Sequence, residues 1–304
     1  LANPLRQSGK KPESGMTYDL CIADRAYSSW SLRGWLLFAA FGIEVRVTTT
    51  RLYEPGFAET LAAWFPARTV PAVRFPEGAV VAESLAIAEE LASRHPEVGH
   101  WPRAPKARAI ARAMAAEMHA GFIALRSHCP MNLRLSYTGC EPPQAVLDDL
   151  ARLETLWDWA RRETGANGPW LCGDYSVADV FFAPVAGRIA TYALPVSPRA
   201  MAYVQAHLAH PAFRHWRAMG MVDGDDQSFY DRPYPRRDWP GPAPIPAEAC
   251  EGPSINATCP YSGRPVTHFA RIGGQVIGFC NAFCRDKTVA DPQAWPQAMA
   301  LLKA

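Results

Sequence analysis

The sequence predicts three structural parts: a mixed α+β domain, an all-helical domain and a small β-hairpin/helix module. Before residue 96, short apolar runs alternate with segments of helical apolar spacing. Up to residue 221, long amphipathic segments follow without strand patterns. After a proline-rich stretch, two strand-like segments flank Gly273-Gly274, which is a strong hairpin signal, beside clustered cysteines.

In the first part, the elements follow the order β-α-β-α-β-β-α, which resembles the thioredoxin-like arrangement. We expect Ser84 to cap the third helix. The predicted strands are Tyr18–Ala23, Ile43–Thr49, Pro71–Phe75 and Ala79–Val81, and the predicted helices are Ser29–Phe41, Glu54–Phe65 and Ser84–His95.

Five helices are predicted for the second part, and Ser176 and Asp179 have the spacing of a capping box. We therefore interpret Asp179 as structural. His119 has no sequence partner that would make it a general base, which favours a polar packing contact. The predicted helices are Ala104–His128, Pro142–Glu163, Ser176–Ala190, Pro198–Leu208 and Ala212–Met219.

The domain boundaries follow from composition. We expect a disordered or artificially added tail over residues 1–16, a thioredoxin-like domain over 17–96 and a helical domain over 104–221. A Pro-rich arm spans 222–258, because its repeated X-Pro pairs exclude regular helix. A cysteine module follows over 259–304.

Charge and cysteine usage exclude several functions. Lys and Arg number 31 against 29 Asp and Glu among 304 residues, a net charge of +2, which argues against nucleic-acid binding. No apolar run is long enough for a membrane span. Four of the eight cysteines lie singly among apolar neighbours, which indicates reduced thiols and a cytoplasmic location.

Hydroxyl groups cluster between the first strand and the first helix. A helix N-terminus presents free N–H groups and a positive dipole end, so it favours an anion. A thiol bound beside Ser28 would lose its proton more readily, and the thiolate is the nucleophile. The alternative is that one serine is only an N-cap.

Two later segments strengthen the ligand interpretation. The Val70–Pro71 bond is a candidate for the cis form, which would leave the backbone of Val70 available to an extended peptide-like ligand. At the start of the third helix, Ser84 and its N–H groups suit a carboxylate, and Glu83 suits an ammonium. The alternative is a turn proline and an ordinary capped helix.

These motifs, in this order, resemble the glutathione S-transferase superfamily over Thr17–Met221. The stretch S-S-W-S-L-R at Ser28–Arg33 is similar to the serine-type motif of zeta-like classes. T-V-P-A-V at Thr69–Val73 and E-S-L-A-I at Glu83–Ile87 are similar to the family's glutathione site. The sequence departs at Trp30, where zeta enzymes carry a cysteine, which puts isomerase chemistry in doubt.

The resemblance implies a role for each matching residue. Ser28 would hydrogen-bond the glutathione sulfur. Ser29 and Ser31 are rival candidates for this contact, and Tyr27 is a weaker rival. The resemblance also implies contacts to the rest of the tripeptide. Val70, beside cis-Pro71, would pair with the cysteinyl backbone. Glu83 and Ser84 would bind the γ-glutamyl end, and Arg68 or Thr69 would bind the glycyl end.

The resemblance also implies an activity and an assembly. The expected function is attack of the activated glutathione thiol on a small electrophile, or glutathione-dependent peroxide reduction, by a homodimer. The alternative is a non-catalytic scaffold or binding protein whose cysteine module serves as a metal-dependent docking or sensing element.

The cysteine module has metal-ligand spacing. Cys259, Cys280 and Cys284 form the pattern C-x20-C-x3-C, which resembles the small YHS or TRASH zinc domains. Its expected architecture is zinc-knuckle-like, with strands Thr267–Ile272 and Gln275–Phe279 before a helix. The alternative is that the thiols only pack as small apolar groups.

A fourth zinc ligand is not evident from the pattern. A two-residue turn at Gly273–Gly274 pairs Thr267 with Cys280, and this register points His268 to the opposite face of the hairpin. The candidates are His268, despite this register, Asp286, Cys250 and water.

Overall fold

A computed structural model describes residues 17–303, so the predicted tail at 1–16 lies outside the described residues. The chain divides into two compact units. The first contains residues 17–24, Ser28–Ala120 and Ala160–Phe181. The second contains Arg25–Tyr27, Gly121–Trp159 and residues 182–303.

The first unit contains a four-stranded sheet in the order β2-β1-β3-β4. Strand β1 is parallel to β2 and antiparallel to β3, which confirms the predicted β-α-β-α-β-β-α order. The elements are β1 Tyr18–Ile22, α1 Ser29–Ala39, β2 Val45–Thr49, α2 Gly56–Ala62, β3 Ala72–Arg74, β4 Val80–Val81, α3 Ser84–Arg94 and α4 Pro105–Ala120.

The single helix predicted over Ala104–His128 is wrong. Helix α4 ends at Ala120 and α5 begins at Ile123. Phe122 between them has a φ of 58°, in the left-handed region. A right-handed helix cannot continue through that conformation, and the apolar spacing on both sides of the break conceals it.

Helices α6 and α7 contribute residues to both units, and the remaining elements belong to the second unit. Among residues 17–303, no helix is long and apolar enough to cross a membrane. The bounds are α5 Ile123–His128, α6 Gln144–Thr164, α7 Val177–Tyr192, α8 Pro198–Ala209, α9 Pro211–Gly220, β5 Ala247–Cys250, β6 His268–Ile272, β7 Gln275–Phe279, α10 Ala282–Ala290 and α11 Pro296–Leu301.

The capping-box aspartate is fully buried at the start of α7. One Asp179 carboxylate oxygen accepts the backbone N–H of Leu171 at 3.2 Å. The other accepts the backbone N–H and the hydroxyl of Ser176 at 3.0 and 3.2 Å. These bonds satisfy buried donors, so they support the structural interpretation of Asp179.

The predicted hairpin of the cysteine module has the expected register. Ile272 pairs with Gln275 and His268 with Phe279. Gly273 and Gly274 have φ values of 55° and 85°, as a two-residue turn with two left-handed positions requires.

A third strand of this sheet was not predicted. Strand β5 pairs antiparallel with β6 inside the segment expected to be an irregular Pro-rich arm. It begins directly after Pro246 and lies at the edge of the sheet, where a preceding proline interrupts no ladder bond.

The Pro-rich arm and the cysteine module both contact other segments of the second unit. The Arg134 guanidinium donates to the Gly224 carbonyl at 2.7 Å. On α9, Arg214 donates two hydrogen bonds to the Asp291 carboxylate, at 2.8 and 2.6 Å. The module is therefore fastened to α9 by a bidentate, mostly buried ion pair.

Gly34 on α1 allows a close approach to Pro71. A Cβ atom at Gly34 would lie 2.4 Å from the Cβ of Pro71. We predict that Gly34→Ala lowers the free energy of unfolding by about 1–3 kcal/mol, because the helix and the proline loop must separate. Urea denaturation measures the change.

Gly56→Ala is the matched control, because nothing lies within 4 Å of a Cβ built there. We expect this variant to be as stable as the parent or slightly more stable. Equal stability of both variants would contradict the close contact at Gly34.

Candidate functional site

The N-terminus of α1 is organised by two serine hydroxyls. Ser28 is the N-cap, and its Oγ accepts the N–H of Ser31 at 3.3 Å. The Ser31 Oγ accepts the Ser28 hydroxyl at 2.8 Å and the N–H of Ala23, just after β1, at 2.9 Å. This chain of bonds ties the end of β1 to the first turn of α1.

The three serines differ in their access to a ligand. Ser31 is fully buried and already accepts two hydrogen bonds. Ser28 is buried but lies at the helix N-terminus, and Ser29, the first helical residue, is half-buried. Because Ser31 is the most buried of the three serines and its oxygen is already occupied, Ser28 or Ser29 is the better candidate to contact a bound sulfur.

Tyr27, the weaker rival, has its hydroxyl engaged elsewhere. It accepts the backbone N–H of Gln227 at 3.0 Å, and its ring stacks on Tyr230 at a centroid distance of 4.7 Å. Burial raises the pKa of Tyr27. A buried phenol with an occupied hydroxyl is poorly suited to bind a thiolate.

The segment before β3 has the backbone geometry expected of it. The Val70–Pro71 bond is cis, as predicted. The strand ladders of β3 use Ala72, Val73 and Arg74, so Val70 lies outside them. Arg68 is exposed, and its side chain forms no ion pair with any other residue of 17–303. This segment therefore offers a cation at Arg68 and, at Val70, backbone that lies outside the strand ladders.

The N-terminus of α3 holds an unsatisfied hydroxyl. Ser84 was predicted to cap the helix, but the N-cap is Glu83, and Ser84 is the first helical residue. Ser84 is 2% exposed, and its Oγ has no hydrogen-bond partner within residues 17–303. Its position one residue inside the helix leaves the hydroxyl available to a ligand.

His119 lies beside this site and was not predicted to do so. Its Nε2 is 3.0 Å from the Oε2 of Glu83. Its ring meets the Trp30 ring edge-on, at a centroid distance of 5.2 Å. Sequence alone could not reveal this contact, because Glu83 and His119 lie on different helices, with no periodicity linking them.

Trp30 also contacts a cation. The Arg33 guanidinium lies 4.4 Å from the centre of the Trp30 ring and 5.1 Å from that of Phe181. Its Nε donates to the Phe181 carbonyl at 3.2 Å. The indole that replaces the zeta-type cysteine is therefore a packed part of this unit.

The structure brings the three cysteines of the module together. Ligand atoms of Cys259, Cys280 and Cys284 all lie within 4.8 Å of one another. Asn281 caps α10 by accepting the N–H of Cys284 at 2.8 Å, and its amide lies 3.5 Å from the Cys280 sulfur. Three convergent sulfurs with N–H donors around them fit a thiolate–metal site.

The environments of these thiols differ. Burial raises the pKa of Cys259, but backbone N–H groups of Tyr261, Cys280 and Ser262 outweigh it and lower the pKa to about 7. Burial raises the pKa of Cys284 to about 12. Since metal ligands are deprotonated thiols, the N–H donors at Cys259 favour the charged form.

No fourth protein ligand joins the cluster among the described residues. His268 faces away, with its Nδ1 2.9 Å from the Thr267 hydroxyl. Asp286 accepts a hydrogen bond from Arg285 at 2.7 Å. Ser262, three residues after Cys259, donates a hydrogen bond to the Cys280 sulfur at 3.2 Å.

Three buried cysteines outside the module are poor nucleophiles. All eight cysteines, which lie within residues 17–303, are free thiols. Burial raises the pKa of Cys21 to about 11, and that of Cys129 and Cys172 to about 12 each. These values disfavour a catalytic cysteine at any of the three positions.

A mixed sheet with this strand order, followed along the chain by a helical region, is the fold of solved glutathione transferases that this chain matches. The family model "Glutathione S-transferase, N-terminal domain" matches residues 27–94. A probable maleylacetoacetate isomerase of Caenorhabditis elegans is 28% identical over 179 residues, which cover 57% of this chain and 79% of the relative.

Solved structures share the fold. Glutathione transferase Omega 2S from Trametes versicolor, in complex with 2,4-dihydroxybenzophenone, matches with a TM-score of 0.53 at 22% identity. The match covers 66% of this chain and 93% of the other. A glutathione transferase homologue from a Burkholderia, strain BGR1, with bound glutathione, matches with a TM-score of 0.50 at 20% identity, covering 67% and 97%.

We predict that Ser31→Ala lowers the free energy of unfolding by about 1–3 kcal/mol, because the buried N–H of Ala23 loses its acceptor. Thermal unfolding followed by circular dichroism measures the effect. The control is Ser93→Ala, which removes an exposed hydroxyl bonded to a carbonyl of its own helix. A Ser31→Ala protein as stable as the control would contradict this role.

Proposed function

We propose that this chain is a glutathione-dependent transferase that activates the glutathione thiol for attack on an electrophilic small molecule. The observation that carries the proposal is the buried Ser84 hydroxyl at the N-terminus of α3, which has no hydrogen-bond partner among residues 17–303. A buried hydroxyl without a partner is costly, and a ligand carboxylate would satisfy it. The match of residues 27–94 supports the same conclusion.

The three segments of the site suit the three residues of the tripeptide. Ser84 and the N–H groups of α3 would hold the γ-glutamyl carboxylate, and Glu83 its ammonium. The backbone of Val70 would pair with the cysteinyl residue. Arg68, exposed and without an ion pair among the described residues, or Thr69 would meet the glycyl carboxylate.

Ser28 would receive the sulfur. Its hydroxyl turns from Ser31 to donate to the thiolate, while the helix N-terminus stabilises the negative charge. The thiol proton leaves to solvent, and the sulfur electron pair forms the new C–S bond. A displaced leaving group, or a proton taken up after addition, completes the reaction. Ser31 supports Ser28 and does not contact the ligand.

We predict that Ser28→Ala lowers turnover of glutathione with 1-chloro-2,4-dinitrobenzene by about 10²-fold at neutral pH, the effect of losing one anion-stabilising donor. The loss shrinks above pH ~9, where the free thiol ionises unaided. Glutathione affinity, measured by calorimetry, stays within about threefold, because the remaining contacts are intact.

Ser29→Ala is the matched control, with an expected loss below tenfold. A larger loss in Ser29→Ala than in Ser28→Ala would transfer the catalytic assignment to Ser29. Glutathione binding with no turnover in the parent, for any electrophile of a broad panel, would favour the scaffold alternative.

We further propose that the cysteine module binds one zinc ion through Cys259, Cys280 and Cys284, with water in the fourth position. The convergence of the sulfurs and the N–H donors at Cys259 support this site. The ion would be structural, since the module has a small core of its own. A cytoplasmic location agrees with eight unpaired cysteines.

Purified protein should contain about one zinc per chain by elemental analysis, and Cys259→Ser and Cys284→Ser should each lose it. Chelation should lower the Tm by several degrees and leave turnover unchanged. Cys140 lies outside the cluster, so Cys140→Ser is the control and should retain the metal. Absence of bound metal after reconstitution with Zn²⁺ would contradict the zinc site and would indicate that the three thiols only pack as small apolar groups.

A homodimer is proposed from the resemblance to the superfamily. Light scattering of the eluted protein should give twice the chain mass of 33.4 kDa. A monomer at micromolar concentration would contradict the proposed assembly.

A further inference from the structure

His119, in the last turn of α4, contacts Glu83, the N-cap residue of α3. Its Nε2–H donates to the Oε2 of Glu83 at 3.0 Å. The Glu83 side chain is 66% exposed and that of His119 is 26% exposed. One carboxylate oxygen is therefore held by the protein, and the exposed group retains capacity for a ligand.

The histidine ring is itself held in place. It meets Trp30 edge-on at 5.2 Å and is tilted against Phe181 at 6.2 Å. Both of those rings contact the Arg33 guanidinium, which is buried. An imidazole packed against two aromatic rings loses little further freedom when it binds a carboxylate, unlike the partners of most surface ion pairs.

Because Ser84 is adjacent to Glu83, the orientation of the Glu83 side chain affects how the two residues bind a ligand together. Ser84 Oγ, buried and unpartnered among the described residues, is one residue along the chain from the carboxylate. Adjacent hydroxyl and carboxylate groups match the two ends of a zwitterionic α-amino acid group, which are separated by a single carbon. Recognition of both ends requires a Glu83 side chain with one preferred orientation.

We propose that His119 is a positioning residue that orients Glu83 to bind the α-ammonium of the ligand's γ-glutamyl end. It thereby makes the site selective for thiol peptides with a free α-amino acid group. This inference rests on the proposed glutathione-dependent function. His119 acts through Glu83 and contacts no reacting atom.

Joining helices α3 and α4 does not by itself explain the contact between His119 and Glu83. Helices α3 and α4 are already joined by the exposed ion pair of Glu89 and Arg112, with both contacts at 3.1 Å. Arg112→Gln removes that tie without touching the N-terminus of α3. It is therefore the matched control for an effect on stability alone.

The test compares three ligands by calorimetry. Besides glutathione, one analogue has a butanoyl group in place of γ-glutamyl, so that both the α-ammonium and the α-carboxylate are absent. A third ligand, deaminated glutathione, lacks the ammonium alone. His119→Phe keeps the packed ring and loses the hydrogen bond. His119→Gln keeps an N–H donor.

We expect His119→Phe to weaken glutathione binding about tenfold, the effect of one charge-assisted hydrogen bond. Its affinity for deaminated glutathione should be unchanged, because that ligand has no ammonium for Glu83 to bind. His119→Gln should restore glutathione affinity to within about threefold of the parent. Arg112→Gln should bind all three ligands as the parent does.

Equal weakening of glutathione and deaminated glutathione by His119→Phe would overturn the inference, and so would unchanged binding of both. Glu83→Gln provides a second test if His119→Phe does not fold. It should lose the preference for the ammonium, and adding His119→Ala, which removes the donor, should weaken glutathione binding no further. Failure of the parent to bind glutathione would instead refute the proposed function.

Discussion

The attachment of α1 to the end of β1 is the constraint on which the candidate site depends. The fully buried Ser31 hydroxyl accepts bonds from the N–H of Ala23 and from Ser28, so it fixes both the start of the helix and the group expected to meet sulfur. Farther along α1, Gly34 lets Pro71 approach closely. Because Pro71 follows Val70, the same contact sets the backbone that would pair with the peptide.

The chemistry proposed for the site is electrostatic and uses two helix N-termini of one compact unit. Helix α1 offers its dipole and Ser28 to a thiolate, and α3 offers its dipole and Ser84 to a carboxylate. Helices α1 and α3 pack against each other, so both candidate anion sites lie on one packed pair of helices. No protein base is needed in this account, because the site lowers the energy of the ionised thiol and solvent takes the proton.

The sequence predicted the order of elements in the first unit because apolar periodicity and turn residues agree there. The sequence-based prediction of elements failed at positions where the conformation of a single residue determines whether a helix or strand begins or ends. Phe122 adopts a left-handed conformation inside a continuous apolar pattern, and β5 follows Pro246 in a segment rich in helix and strand breakers. The candidate serines could be named from their place between elements. The contact of His119 with Glu83 could not be predicted, because only tertiary packing brings the two side chains together.

The most direct test of the account is the thiolate absorbance near 240 nm of glutathione bound to the parent protein, measured as a function of pH. The helix N-terminus and Ser28 should lower the pKa of the bound thiol from about 8.5 to below about 7.5. The thiolate signal would then be present at neutral pH in the complex and absent from the separate components. A bound thiol that ionises only above pH ~8.5 would contradict the claim that this site activates glutathione.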